Sequence, residues 1–239
     1  MRILQILMLF AAVNLYSQTP VPDWYLLLRE VVYEQELKSD EIVPLYNSIK
    51  THAEKSLSGA PLYVMLSRCE YMMGRVYLFE ANKPLADKCF DTGMKLAEKA
   101  IQTAETDTAW QMLAENLSQV CSIRPWSYVL ANGLNVAKFS ENALAINKRN
   151  AAAQYLVAAR WIYAPPPFHN YKKGLDMMLA IIKEGDMQKD DEFNIYSSIG
   201  YAYYLQKNYV QAKIWMQKSL EIYPTNKYVL GLINNLPGV

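Results

Sequence analysis

The side chains that most often do chemistry are sparse and scattered in this 239-residue chain. There are two histidines, His52 and His169, far apart in sequence and neither in a metal-ligand spacing. A catalytic histidine needs a partner that orients its ring, so each is expected to be a surface or turn residue. No GxSxG, no phosphate-binding glycine loop and no HExxH occurs. Asp190, Asp191 and Glu192 stand together where a helix is predicted to start, and negative charge there complements the helix dipole. Asn116-Leu117-Ser118 has glycosylation spacing but falls inside a predicted helix. These residues predict no enzyme, no metal and no cofactor.

Three cysteines remain: Cys69, Cys89 and Cys121. Each sits in an apolar helical pattern, where a free thiol behaves as a small hydrophobe. A Cys69–Cys89 bridge between neighbouring helices is the alternative, within strict limits of geometry. An odd number leaves at least one thiol unpaired.

Binding chemistry is better represented. There are 18 tyrosines, side chains that pack a ring and keep a wet hydroxyl. The balance of 24 basic and 23 acidic residues gives a net charge of +1. That disfavours nucleic acid, whose binders carry a basic surplus on one face.

The first residues differ from the rest. Met1-Arg2 supplies a positive charge, Ile3 to Val13 is apolar but for Gln5, and the small Ser17 follows. This is the order of a secretory signal peptide, and the apolar run is too short to span a membrane. The expectation is a signal peptide over 1–17, one helical domain over 18–239, and a periplasmic or secreted product. No integral membrane segment is expected after cleavage.

From residue 23 onward apolar residues recur at three- and four-residue spacing, which predicts helix after helix. The predicted spans are 23–37, 39–57, 61–81, 84–104, 107–121, 128–147, 150–163, 171–184, 191–206, 209–222 and 226–235. In the first, Trp24, Leu27, Leu28, Val31 and Val32 form the expected apolar face.

A fixed period is superimposed on these helices. In a 34-residue unit beginning at Phe193, Tyr196, Ile199, Gly200, Tyr203, Ala212, Met216, Ser219 and Pro224 occupy positions 4, 7, 8, 11, 20, 24, 27 and 32. Gly74, Tyr77, Ala86, Phe90 and Gly93 reproduce five of them in a unit over 67–100, with Glu98 in place of the proline. Ala158, Trp161, Gly174, Met178 and Ile181 fit a third unit over 151–186 if the Ala164-Pro165-Pro166-Pro167-Phe168 turn is an insertion. The pattern is similar to the tetratricopeptide repeat (TPR), and the proline-rich turn resembles exported bacterial proteins of that type.

The resemblance implies an all-α, TPR-like α–α superhelix with residues 20–58 as a divergent N-terminal cap. Neighbouring units stack because one helix pair cannot bury its own apolar face. It also implies a concave face lined by the first helix of each unit. That face would hold Arg68, Tyr71 and Arg75, then Tyr155 and Tyr163, then Asn194, Tyr201 and Tyr204. Tyr and Arg dominate binding hot spots, and Arg68 and Arg75 can pair with a carboxylate. The expected function is an exported adaptor that holds a protein or peptide segment in this groove. The alternative is an accessory subunit of a periplasmic solute-transport system with a small-ligand pocket.

Overall fold

The computed structural model describes residues 22–184 and 187–238. The expected signal peptide lies outside them. Eleven α-helices and no strand are found among the described residues: α1 (Asp23–Glu34), α2 (Ser39–Ser56), α3 (Gly59–Phe79), α4 (Lys83–Thr103), α5 (Asp107–Ile123), α6 (Trp126–Ile146), α7 (Ala151–Tyr163), α8 (Tyr171–Glu184), α9 (Lys189–Leu205), α10 (Tyr209–Ile222) and α11 (Lys227–Asn234). None of them is long and apolar enough to cross a membrane.

The pairs α3/α4, α5/α6, α7/α8 and α9/α10 are hairpins, and α3, α5, α7 and α9 touch one another in that order. The chain is therefore an all-α, TPR-like superhelix. Its first helices form the inner wall and its second helices the outer.

The register follows from close contacts. A Cβ on Gly200 would sit 2.7 Å from Met216 Cγ and 3.1 Å from the Ala212 carbonyl oxygen, so only glycine lets α9 and α10 approach this closely. Gly74 meets the Phe90 ring in the same way, at 2.5 Å. The turn between paired helices is copied as well. Ala81 and Lys207 both take left-handed backbone, with φ of 60° and 61°. Asn82 and Asn208 follow them, and each side chain accepts the backbone N–H three residues on, an N-cap that satisfies one orphan donor of the new helix.

Where the repeat lacks its proline, at Glu98, α4 runs on to Thr103. The expected break near residue 122 shrinks to Arg124-Pro125. A proline just before the first helical turn leaves no donor unsatisfied, so α6 starts at Trp126. Cys69, Cys89 and Cys121 are all free. Burial pushes the Cys69 and Cys89 thiols up to about 12, helped by the nearby charge of Glu70.

The N-terminal helix departs from the expected cap. It does not lie at the end of the stack. α1 packs against α2 and α3 and reaches across to α9 and the turn after α10. It ends at Glu34 because Gln35 adopts left-handed backbone, φ 57°. Its buried face is Tyr25, Leu28, Arg29, Val32 and Tyr33, whereas Leu27, expected inside, is 55% exposed. The Tyr33 ring stacks on Tyr223 at 4.9 Å and meets Phe193 edge-on at 5.4 Å. Each such side chain contributes about 1.5–3 kcal/mol of burial, so α1 is part of the core and fastens the first helices to the last repeat.

Candidate partner-binding face

The eight side chains expected on the concave face all lie on the inner helices α3, α7 and α9. The structure divides them into two groups, because α1 fills one side of the concavity.

The first group surrounds α1. Arg75 Nη1 donates to the hydroxyls of Tyr33 and Tyr71, both at 3.2 Å, and its guanidinium lies 4.3 Å from the Tyr33 ring centroid. Asn194 Nδ2 donates to the same Tyr33 hydroxyl at 2.9 Å. Burial raises the Tyr33 and Tyr71 hydroxyls above their usual range, so both stay protonated. On the next turn of α1, Arg29 donates to Asp190 at 2.7 Å and to Gln188 at 3.1 Å. Lys189 pairs with Glu30. Asn226 donates to the Tyr33 carbonyl at 2.7 Å, and the Thr225 hydroxyl to the Glu34 carbonyl at 2.9 Å. Tyr71, Arg75 and Asn194 thus recognise a segment of their own chain.

Arg68 lies farther along α3, on a polar cleft between α1, α3, α5 and the start of α9. Tyr25, Arg29, Tyr71, Gln111, Glu115 and Asp190 share this cleft. No described residue hydrogen-bonds or ion-pairs with Arg68. The Glu115 carboxylate accepts a hydrogen bond from Gln111 at 3.0 Å. Burial pushes its carboxyl up to about 7, against the lowering pull of that bond. The free volume is about 30 Å³, room for about two waters and far below the roughly 300 Å³ of a small-ligand pocket.

The second group is open. Tyr155 and Tyr163 share hydrogen bonds with the buried Ser198 hydroxyl, at 3.2 and 2.9 Å. Tyr163 stacks on Tyr201, with centroids 5.5 Å apart and planes 13° from parallel. Tyr201 stacks on Tyr204 at 6.0 Å, and Tyr204 tilts against Tyr209. Tyr163 and, on α11, Tyr228 are each 49% exposed. The result is a run of stacked tyrosine rings, partly exposed at Tyr163, Tyr201 and Tyr204.

Sequence reasoning did not find Tyr33, Ser198, Glu115 or Tyr228. Tyr25, Arg29 and Tyr33 fall at four-residue steps on α1, a polar-tipped stripe that resembles a wet face until the wall it meets is known. Ser198 is buried between two of these tyrosines, and its position in the repeat carries no mark of that contact.

The histidines sit apart from this face. His52 is exposed and meets Trp24 edge-on, and His169 stacks on Tyr171 in the proline turn. Asn116 is fully buried, donating to Ser67 at 3.2 Å and to the Met112 carbonyl at 2.8 Å, so its sequon offers no accessible acceptor. Among the described residues no His/Cys/Asp/Glu group is arranged to hold a metal.

The tetratricopeptide-repeat family model matches residues 193–226. This stretch is similar to a single tetratricopeptide repeat. It covers α9 from Phe193 onward, the Asn208 turn, α10 and the turn that ends at Asn226, the unit in which Gly200 meets Met216. A solved structure described as "YrrB: a TPR protein with an unusual peptide-binding site" is similar at 14% identity, over 89% of this chain and 98% of that one, with a TM-score of 0.40. No curated protein matches the chain.

Proposed function

We propose that the protein is an exported adaptor that holds a segment of a protein partner on the tyrosine shelf of its last two helix pairs. The reading rests chiefly on one observation: the part of the concave face that α1 leaves uncovered is a run of stacked, partly exposed tyrosines. Tyrosine supplies contact area and a hydroxyl at low entropic cost, which is why it anchors interfaces. The repeat at 193–226 supports a protein-interaction scaffold. A binding role, with no catalytic step, fits a face that converges few titratable groups. The order of charge, apolar run and small residue over 1–17 supports export to the periplasm or beyond. The cleft beside α1 is too small for a solute, which favours a partner segment over a transported ligand.

Cross-linked recovery of partners from the native cell envelope tests the proposal, comparing the wild type with a Tyr163→Ser/Tyr201→Ser variant. The expected result is a protein recovered by the wild type and lost by the variant, with helical content unchanged. Equal recovery by both would overturn the assignment of the shelf.

A further inference from the structure

The cleft beside α1 gathers hydrogen-bond donors that the protein itself does not use. Arg29 pairs with Asp190 at 2.7 Å, yet its Nε is buried without a hydrogen-bond partner, in a residue only 7% exposed. Arg68 has no partner among the described residues. Leaving a buried charged donor unmade costs more than losing an ordinary hydrogen bond. Two tyrosines add to the set. Burial keeps the Tyr25 and Tyr71 hydroxyls protonated. No described residue hydrogen-bonds to the Tyr25 hydroxyl. The Tyr71 oxygen accepts from Arg75, which leaves its own proton to give.

The acidic groups facing the cleft do not neutralise Arg68. Asp190 is held by Arg29, and Glu30 by Lys189. Asp191 caps its own helix, accepting from the Gln188 N–H at 3.1 Å, and burial favours its neutral form. Glu115 titrates near 7 because it is buried. Arg75, the other cation near Glu115, is turned to the hydroxyls of Tyr33 and Tyr71. Below pH 7 the cleft therefore holds one positive charge without a counter-charge.

We infer that the cleft is a halide site, holding one chloride ion among Arg68, Arg29 and the hydroxyls of Tyr25 and Tyr71. The size agrees. A free volume of about 30 Å³ admits a monatomic ion and a water, and excludes sulfate, phosphate and organic acids. The donor set agrees as well, since guanidinium and hydroxyl protons all point to an anion, and charge-assisted bonds of this kind are the strong ones. Among the described residues no carboxylate group is arranged to hold a metal cation instead. The lining comes from α1, α3, α5 and the start of α9, so the ion ties α1 to both ends of the stack. An ion that binds only the folded chain stabilises it by mass action.

Thermal unfolding at pH 6, with sodium gluconate exchanged for sodium chloride at constant ionic strength, tests the inference. The wild-type midpoint is expected to rise and saturate with chloride. Arg68→Gln should show no such rise, while Arg160→Gln, outside the cleft, should follow the wild type. Glu115 supplies a readout that general salt effects would not move. Its ionisation sets a negative charge beside the ion, so the protonated fraction is the one that binds. That fraction falls about tenfold from pH 6 to pH 8, and the apparent chloride affinity should fall with it by about tenfold. Glu115→Gln should lose most of this dependence. Bromide locates the ion: anomalous diffraction from bromide-soaked crystals should give a peak beside Arg68 and Tyr25. A wild-type midpoint indifferent to chloride, a rise that survives Arg68→Gln, or bromide peaks that all lie outside the cleft would overturn the assignment.

Discussion

Single contacts carry two consequences. The Cβ position of Gly200 falls against backbone atoms of α10 as well as Met216, so Gly200→Leu forces α9 and α10 apart. Overpacking of this kind costs about 1–3 kcal/mol or more. For a chain of this size that lowers the melting temperature by roughly 2–4 °C per kcal/mol. An unchanged thermal midpoint would show that the repeat register is wrong. Glu115 gives a pH dependence. Its folded carboxyl titrates near 7 because it is buried, whereas an unfolded glutamate titrates near 4.3. The folded state therefore binds the extra proton between those values. This contribution to stability is fully present below the lower value and is lost as pH rises through about 7. Asp191, also raised by burial, acts with the same sign. Denaturant midpoints from pH 5 to 8 should fall for the wild type and fall less for Glu115→Gln. Identical slopes would place Glu115 in a wetter setting.

At the scale of elements, the sequence was most legible where neighbours in sequence are also neighbours in space. Gly74 with Phe90 and Gly200 with Met216 lie within one hairpin, so their spacing encodes their contact. The turns at Asn82 and Asn208 are local for the same reason. The position of α1 was not legible. Its contacts with Asp190, Asn194 and Asn226 span most of the chain, and nothing in twelve residues states which distant wall they will meet. Of the expected face, Leu28 and Val32 are buried, but Leu27 is exposed and Tyr25, Arg29 and Tyr33 join the buried side. The inner-face residues were legible as a set, but not their division into a half that serves α1 and a half that stays open. Tyr33 is where α1 is most tightly fixed. Removing a buried ring of this size costs about 3–5 kcal/mol. In Tyr33→Ala, hydrogen exchange should quicken in α1, at the start of α9 and around residues 223–226 together. Faster exchange confined to α1 would show that it does not fasten the last repeat.

At the scale of the molecule, α1 turns an open stack of helix pairs into one whose first and last units are joined. Its main apolar core runs from Tyr25 through α3, α4 and α5 to Phe193, Tyr223 and Val229. A second cluster links α7, α8 and α9. The closure decides where a partner can bind, since a concavity that holds its own helix offers only its uncovered side. Oxidative footprinting of the tyrosines, read by mass spectrometry on the native chain, tests this most directly. Tyr163 and Tyr228 should be modified readily, and Tyr25, Tyr33 and Tyr71 should react only as the chain unfolds. Modification of Tyr33 and Tyr71 at the rate of Tyr163 would mean that α1 lies outside the concavity and that the whole groove is open.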